Sequence, residues 1–426
     1  MPQVASQSLT ITPITKQHHR TMAPSATEIV APPVAALRQK IASHATGDGK
    51  DSEPAPEALA PAVKPPPLEP LPELETSHRE PLKLSGVLEQ FRYFDKTPVI
   101  GREFVDVDLA EWLRAPNSDD LLRDLAITIS RRGVVFFRKQ DNITNDLQKE
   151  LIQRLGQLAG KPETSGLHIH PVINAGREHG GDDDEISVIS SKGARKLYKN
   201  HLHQTRGGYN RVQTQRLQWH SDITFEPVPS DYSLLRLTEL PVTGGDTLWA
   251  SGYEVYDRIS PTLQKFLDGL TAYYAQPMFN DAAASNGFGV FTGPRGAPEN
   301  VGEVLEANHP VIRTNPVTGW KSVFAVGYHV KRILGLADAE SEHFLKWFVN
   351  LIMENHDLQV RHHWDNVNDL AIWDNRSAYH AATPDYVEGG FGDRTGSRAV
   401  SLGERPYFDP RSTSRKEGLV KEGALL

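Results

Sequence analysis

No phenylalanine, tryptophan or tyrosine occurs in the first 85 residues of this chain, yet 14 of its 30 prolines do. All 34 aromatic residues (15 Phe, 7 Trp and 12 Tyr) follow that point. A segment without aromatics cannot bury enough apolar surface to offset the entropy lost on ordering it. The stretch from Pro54 to Pro72, ending in Pro65-Pro-Pro-Leu-Glu-Pro-Leu-Pro72, favours extended polyproline over helix or strand. Residues 1–85 are therefore expected to form a disordered, proline-rich arm. Residues 86–409 are expected to be the folded unit. Residues 410–426, rich in Ser, Arg, Lys and Glu, read as a tail.

The folded part reads as one domain. Strand-like apolar runs are Gly133-Val-Val-Phe-Phe-Arg138, Glu185-Ile-Ser-Val-Ile189 and Tyr232-Ser-Leu-Leu-Arg-Leu-Thr238. Further ones are Val323–Val326, Leu358–His362, Leu370–Trp373 and Ala399–Leu402. Helical periodicity marks Asp119–Arg132, Asn145–Leu158, Tyr253–Leu270 and Ala339–Glu354, with Ser260-Pro261 a helix-start signal. Many strands with helices gathered at a few places predict a mainly β domain with flanking helices, a sandwich or jelly roll.

Several classes are set aside. The chain has no cysteine, which excludes disulfides, thiolate metal sites and cysteine nucleophiles. Any metal must be held by His, Asp, Glu or backbone oxygen. A net charge of −8 argues against nucleic acid or an anionic membrane as the partner. No apolar run approaches the roughly 18 residues of a membrane span, and no compact secretory core is evident. A cytoplasmic location is expected, and oligomeric state is not readable. A small anionic ligand fits this charge, because a pocket needs only one or two local cations.

The segment Arg216-Leu-Gln-Trp-His220-Ser-Asp222-Ile-Thr-Phe225 alternates as a strand does. In a strand, residues two apart share a face, so His220 and Asp222 can meet one ion. A third ligand from a distant strand would complete a facial triad with about three open positions, the arrangement that suits non-haem Fe(II). With 17 histidines, chance alone gives roughly one His-x-Asp at average Asp usage. A second pair, His363-Trp-Asp365, lies beside the turn-rich Asp365–Asp369 and reads as turn chemistry.

Three ordered motifs resemble the taurine dioxygenase (TauD/TfdA) family. They are Trp219-His-Ser-Asp-Ile-Thr-Phe225, then Glu239-Leu-Pro-Val-Thr-Gly-Gly-Asp-Thr-Leu-Trp249, then Ile372-Trp-Asp-Asn-Arg-Ser-Ala-Tyr-His380 with Asp385-Tyr386. The resemblance covers about residues 95–408, including Leu167-His-Ile-His-Pro-Val172 and Arg398-Ala-Val-Ser-Leu-Gly403. The long arm and the stretch 191–211 are similar to fungal members. The resemblance implies a double-stranded β-helix (jelly-roll) core and a dioxygenase that uses Fe(II), 2-oxoglutarate and O2. It implies His220, Asp222 and His380 as iron ligands, Thr247 and Arg394 as the 2-oxoglutarate site, and His170 and Arg398 as substrate contacts. It also marks departures, with Ile173 where the family has tyrosine and Arg216 where it has asparagine, and Arg216 is expected to be a further, positively charged substrate contact.

The substrate implied is a small organic anion, with an alkyl sulfonate or sulfate of sulfur assimilation first. The alternative is a carboxylate or amino-acid-like intermediate of secondary metabolism. A metal-dependent jelly-roll hydrolase is the rival class, and it leaves Thr247 and Arg394 without a role. Residues 174–215 and 277–303 are the expected lids. Trp373–Arg376 are expected to be structural.

Overall fold

The computed structural model describes residues 77–173, 183–198, 218–388 and 390–424, which lie in one compact unit. Arg216 and most of the 174–215 stretch fall outside the described residues. Among those described, no helix is long and apolar enough to cross a membrane.

The strands are, in chain order, β1 (Tyr93–Asp95), β2 (Arg102–Phe104), β3 (Val134–Phe137), β4 (Ile186–Ser190) and β5 (Ser230–Glu239). Then come β6 (Thr247–Ser251), β7 (Thr271–Ala275), β8 (Glu306–Pro310), β9 (Ile312–Thr314) and β10 (Lys321–Val323). The last five are β11 (Val330–Ile333), β12 (Gln359–His362), β13 (Leu370–Asp374), β14 (Ala378–Ala382) and β15 (Thr395–Leu402). A seven-stranded sheet runs β1-β2-β3-β13-β5-β15-β4, and a three-stranded sheet β12-β6-β14 faces it. Together they form a jelly roll with helical flanks.

The sequence of β3 shows why the layers stack this way. Val134-Val-Phe-Phe137 is apolar at every position because both of its faces are covered. Phe136 faces the smaller sheet, its ring 5.4 Å from Trp249. Trp249 also meets Trp373 from the facing sheet at 5.8 Å. Val135 and Phe137 turn outward into a cluster with Leu125, Ile129, Leu151 and Leu155 of the helices Ser118–Arg132 and Asn145–Leu158. Phe136 and Phe137 are fully buried, each contributing roughly 1.5–3 kcal/mol relative to exposure.

Three expected helices lie within one residue of their observed limits, at Ser118–Arg132, Asn145–Leu158 and Asp338–Glu354. The expected helix Tyr253–Leu270 divides into Gly252–Asp257 and Pro261–Leu267. Pro261 has no N–H to continue a helix but suits its first turn. The strand expected at Val323–Val326 is instead β10, ending at Val323.

Both ends of the folded unit extend past 86 and 409. Leu82 N–H donates to Val317 O at 2.9 Å. The buried Asp124 carboxylate accepts from Ser85 N, Ser85 Oγ and Gly86 N. At the other end, helix Arg415–Lys421 carries a Ser414–Glu417 capping box, and Glu422 pairs with Arg131. Polar residues are ordered here by hydrogen bonds, caps and an ion pair, which composition does not report.

Candidate metal centre

His220 and His380 exchange both backbone hydrogen bonds, His220 N to His380 O at 3.1 Å and the reverse at 2.8 Å. Such a pair places the two side chains next to each other, and the ring centroids are 4.2 Å apart. His380 lies on β14, opposite Trp249 of β6. The expected strand through His220 is reduced to this single bridge. After it the chain turns, with Ile223 at φ 64°. A β-branched residue there costs on the order of 1–3 kcal/mol. The turn is pinned by Ser221 Oγ to Ala378 O (2.9 Å) and by Asp222 N to Asn375 Oδ1 (3.1 Å). Bridge and turn, rather than strand alternation, bring Asp222 to the histidines.

One ligand atom from each of His220, Asp222 and His380 lies within 4.8 Å of the others, and no other group of three converges so among the described residues. His363 and Asp365 stay apart from it. His363 is more than half exposed and bonds Asp246 at 2.7 Å, while Asp365 N–H caps the Asp369 turn.

The donor set fits a metal. His220 Nδ1 lies 2.7 Å from Gln218 O. A carbonyl only accepts, so Nδ1 carries the proton and Nε2 keeps its lone pair. Burial, and then the neighbouring His220, push His380 down to about 3. Burial likewise lowers His220. Both rings are thus neutral near pH 7. Burial alone would raise Asp222, but the Arg398 charge holds it below the usual carboxylate range. Arg398 Nη1 donates to Asp222 Oδ1 at 2.8 Å, and Ser233 Oγ to Oδ2 at 2.9 Å. Asn375 organises this side, accepting from Asp222 N and Trp373 Nε1 and donating to Ser230 and Ser233. Two imidazoles and a carboxylate on one side are the set that suits Fe(II).

A second polar group is built at the start of β6. Thr247 Oγ1 accepts from Arg394 Nη2 and from Trp364 Nε1, each at 3.1 Å. Arg394 is 5% exposed, makes no ion pair among the described residues, and its Nε has no partner. Gly245, at φ 72°, permits the approach, since a Cβ there would stand 3.1 Å from Arg394 Cδ. Thr247 and Arg394, paired in expectation, are therefore in contact. Trp364 was missed. It lies within the segment His363-Trp-Asp365, read only as a turn, and becomes legible once His362 is seen to pair with Thr247 in register.

On the remaining side, His170 is buried and its Nδ1 accepts from Val172 N and Ile173 N at 3.1 Å. Burial and Arg398 push it down to about 3. Tyr328, unremarked in the sequence, packs its ring 4.9 Å from that of His220. Gly327 allows this closeness at φ 105°, because a Cβ there would lie 2.9 Å from His220 Cα. Residues 277–303 differ from the expected mobile cover. They begin with helix Pro277–Ser285, and Arg295 then anchors the loop through a fully buried ion pair to Glu226.

A model of the family described as taurine catabolism dioxygenase TauD, TfdA family matches residues 91–400. Alpha-ketoglutarate-dependent dioxygenase btcD of Neocamarosporium betae is 53% identical over 348 residues, covering 80% of this chain and 98% of that protein. An alpha-ketoglutarate-dependent sulfonate dioxygenase of Saccharomyces cerevisiae is 29% identical over 313 residues, covering 74% of this chain and 67% of that one. The crystal structure of a taurine dioxygenase from Burkholderia xenovorans is similar at a TM-score of 0.53 and 25% identity, covering 74% of this chain and 90% of that one.

Proposed function

This chain belongs to the TauD/TfdA family and is a 2-oxoglutarate-dependent dioxygenase, and from that premise we propose that it holds Fe(II) on His220, Asp222 and His380 to oxidise a C–H bond of a small organic anion. The convergence of those three ligand atoms within 4.8 Å carries the reading. Held by these three residues, Fe(II) would supply the coupling of oxygen and 2-oxoglutarate decarboxylation, to succinate and CO2, with oxidation of the substrate.

The chain's own residues position and shield. Arg394 receives the far carboxylate of 2-oxoglutarate. An unpaired buried guanidinium is costly, and a carboxylate satisfies it through charge-assisted hydrogen bonds. Thr247 Oγ1 already accepts from two donors, so its own proton is available to the same carboxylate. Arg398 and His170 hold the anionic head of the substrate beside the metal. For that head, the name of the yeast relative supports a sulfonate. A carboxylate is the second reading, favoured by the planar Arg398 fork, which matches it bidentately.

The test is succinate release with Fe(II), 2-oxoglutarate and oxygen against a panel of alkyl sulfonates, alkyl sulfates and carboxylates. Some of these anions should stimulate release, and Asp222→Ala should abolish it. Turnover of a panel member without 2-oxoglutarate would favour a hydrolase instead.

A further inference from the structure

The position where the family resemblance leads one to expect a tyrosine holds Ile173, whose amide is tied to His170 Nδ1. One side of His170 is apolar. Phe279, from helix Pro277–Ser285, packs its ring 4.9 Å from the imidazole and 5.4 Å from Phe225. Phe225 and Phe279 belong to one buried apolar cluster, against which Ile173 packs. Across from it, the Tyr328 ring lies against the candidate iron ligand His220. Ile173 and Tyr328 are only half buried, so part of each surface faces open space.

Charge on this side is already committed. Asp222 pairs with Arg398. Glu226, four residues on, gives both oxygens to the buried Arg295. Neither of these two carboxylates is left for a substrate ammonium. A cationic group brought against Ile173 and Phe279 would lose hydration without a partner, at a cost that apolar atoms do not incur.

We propose that the substrate is an organic anion whose remainder is apolar and uncharged, with its head between Arg398 and His170 and its body against Ile173, Phe279 and Tyr328. Ile173 and Phe279 are then the specificity-determining residues, selecting by apolar length and rejecting an amino-terminated anion such as taurine. This rests on the functional reading above, from which the placement of the head is taken.

The experiment is calorimetric titration of the full chain loaded with Fe(II) and 2-oxoglutarate, without oxygen. The probes are n-alkanesulfonates from ethane- to octanesulfonate, the matching n-alkanoates, and taurine. Each added methylene should tighten binding about fourfold until the wall is filled, and taurine should bind more weakly than ethanesulfonate. A slope in either head-group series supports the proposal, and the series that binds more tightly identifies the head. Phe279→Ala and Ile173→Ser should each flatten the slope. A flat wild-type series, or taurine binding as tightly as propanesulfonate, overturns the proposal while the dioxygenase reading stands. Failure of the iron-loaded chain to take up 2-oxoglutarate overturns both.

Discussion

Arg394 is the residue whose environment asks most plainly for a ligand. It is buried, bonded to a neutral hydroxyl and without an anion among the described residues. Removing one partner of a buried, hydrogen-bonded charge pair costs about 2–5 kcal/mol. Arg394→Ala should therefore weaken 2-oxoglutarate binding roughly 30- to 5,000-fold while Fe(II) affinity stays near wild type, which separate titrations will show. A loss confined to the prime substrate would mean that Arg394 and Arg398 exchange roles. Gly327 makes a different demand. A Cβ there meets His220 Cα at 2.9 Å and Trp219 O at 3.0 Å, on a backbone at φ 105°. Gly327→Ala should cost about 1–3 kcal/mol of stability and weaken iron binding by shifting His220. Thermal unfolding and iron titration check the two halves.

At the scale of elements, the turn between β13 and β14 holds the site together. Asp374 receives Arg376 through Nε and Nη2, both at 2.8 Å, together with Ser130 and Asn315. Burial alone would raise the Asp374 carboxyl, but Arg376 holds it below its ordinary value. Because the folded value lies below the unfolded one of about 3.9, this stabilisation is complete above that pH. It is lost as pH falls through the folded value. Arg376→Gln, leaving a buried carboxylate unpaired, should cost about 3–5 kcal/mol and start acid unfolding at a higher pH. Thermal unfolding followed against pH will show it.

The elements also mark what was legible in the sequence. Asn145–Leu158 was, because its apolar period is clean and Thr144 supplies a cap to Leu147 N–H. The triad's residues were legible through motif resemblance, but not the geometry that joins them. The alternation around His220 suggests a strand, whereas a left-handed Ile223 and a hydrogen bond to Asn375 do the aligning. Those contacts span more than 150 residues, and no local pattern reports them. Tyr328 and Trp364 escaped notice for the same reason, being ordinary aromatics until the fold brings them to His220 and Thr247.

For the whole molecule, the ordered unit reaches further than composition implies. The Asp124 carboxylate is 1% exposed and depends on Ser85 and Gly86 for its hydrogen bonds. Removing residues 1–68 should leave Tm and succinate formation unchanged. Removal through Gly86 should lower Tm by several degrees, the expected result of roughly 1–3 kcal/mol for unsatisfied buried acceptors. Equal Tm values for the two truncations would return the domain boundary to residue 86. One jelly roll brings ligand atoms of His220, Asp222 and His380 within 4.8 Å of one another, and the proposed function puts a single iron among them. Anaerobic Fe(II) titration of the full chain beside its His380→Ala variant tests this most directly. The wild type should take up a single Fe(II) per chain saturably and the variant should not; undiminished uptake by His380→Ala would rule out this iron site.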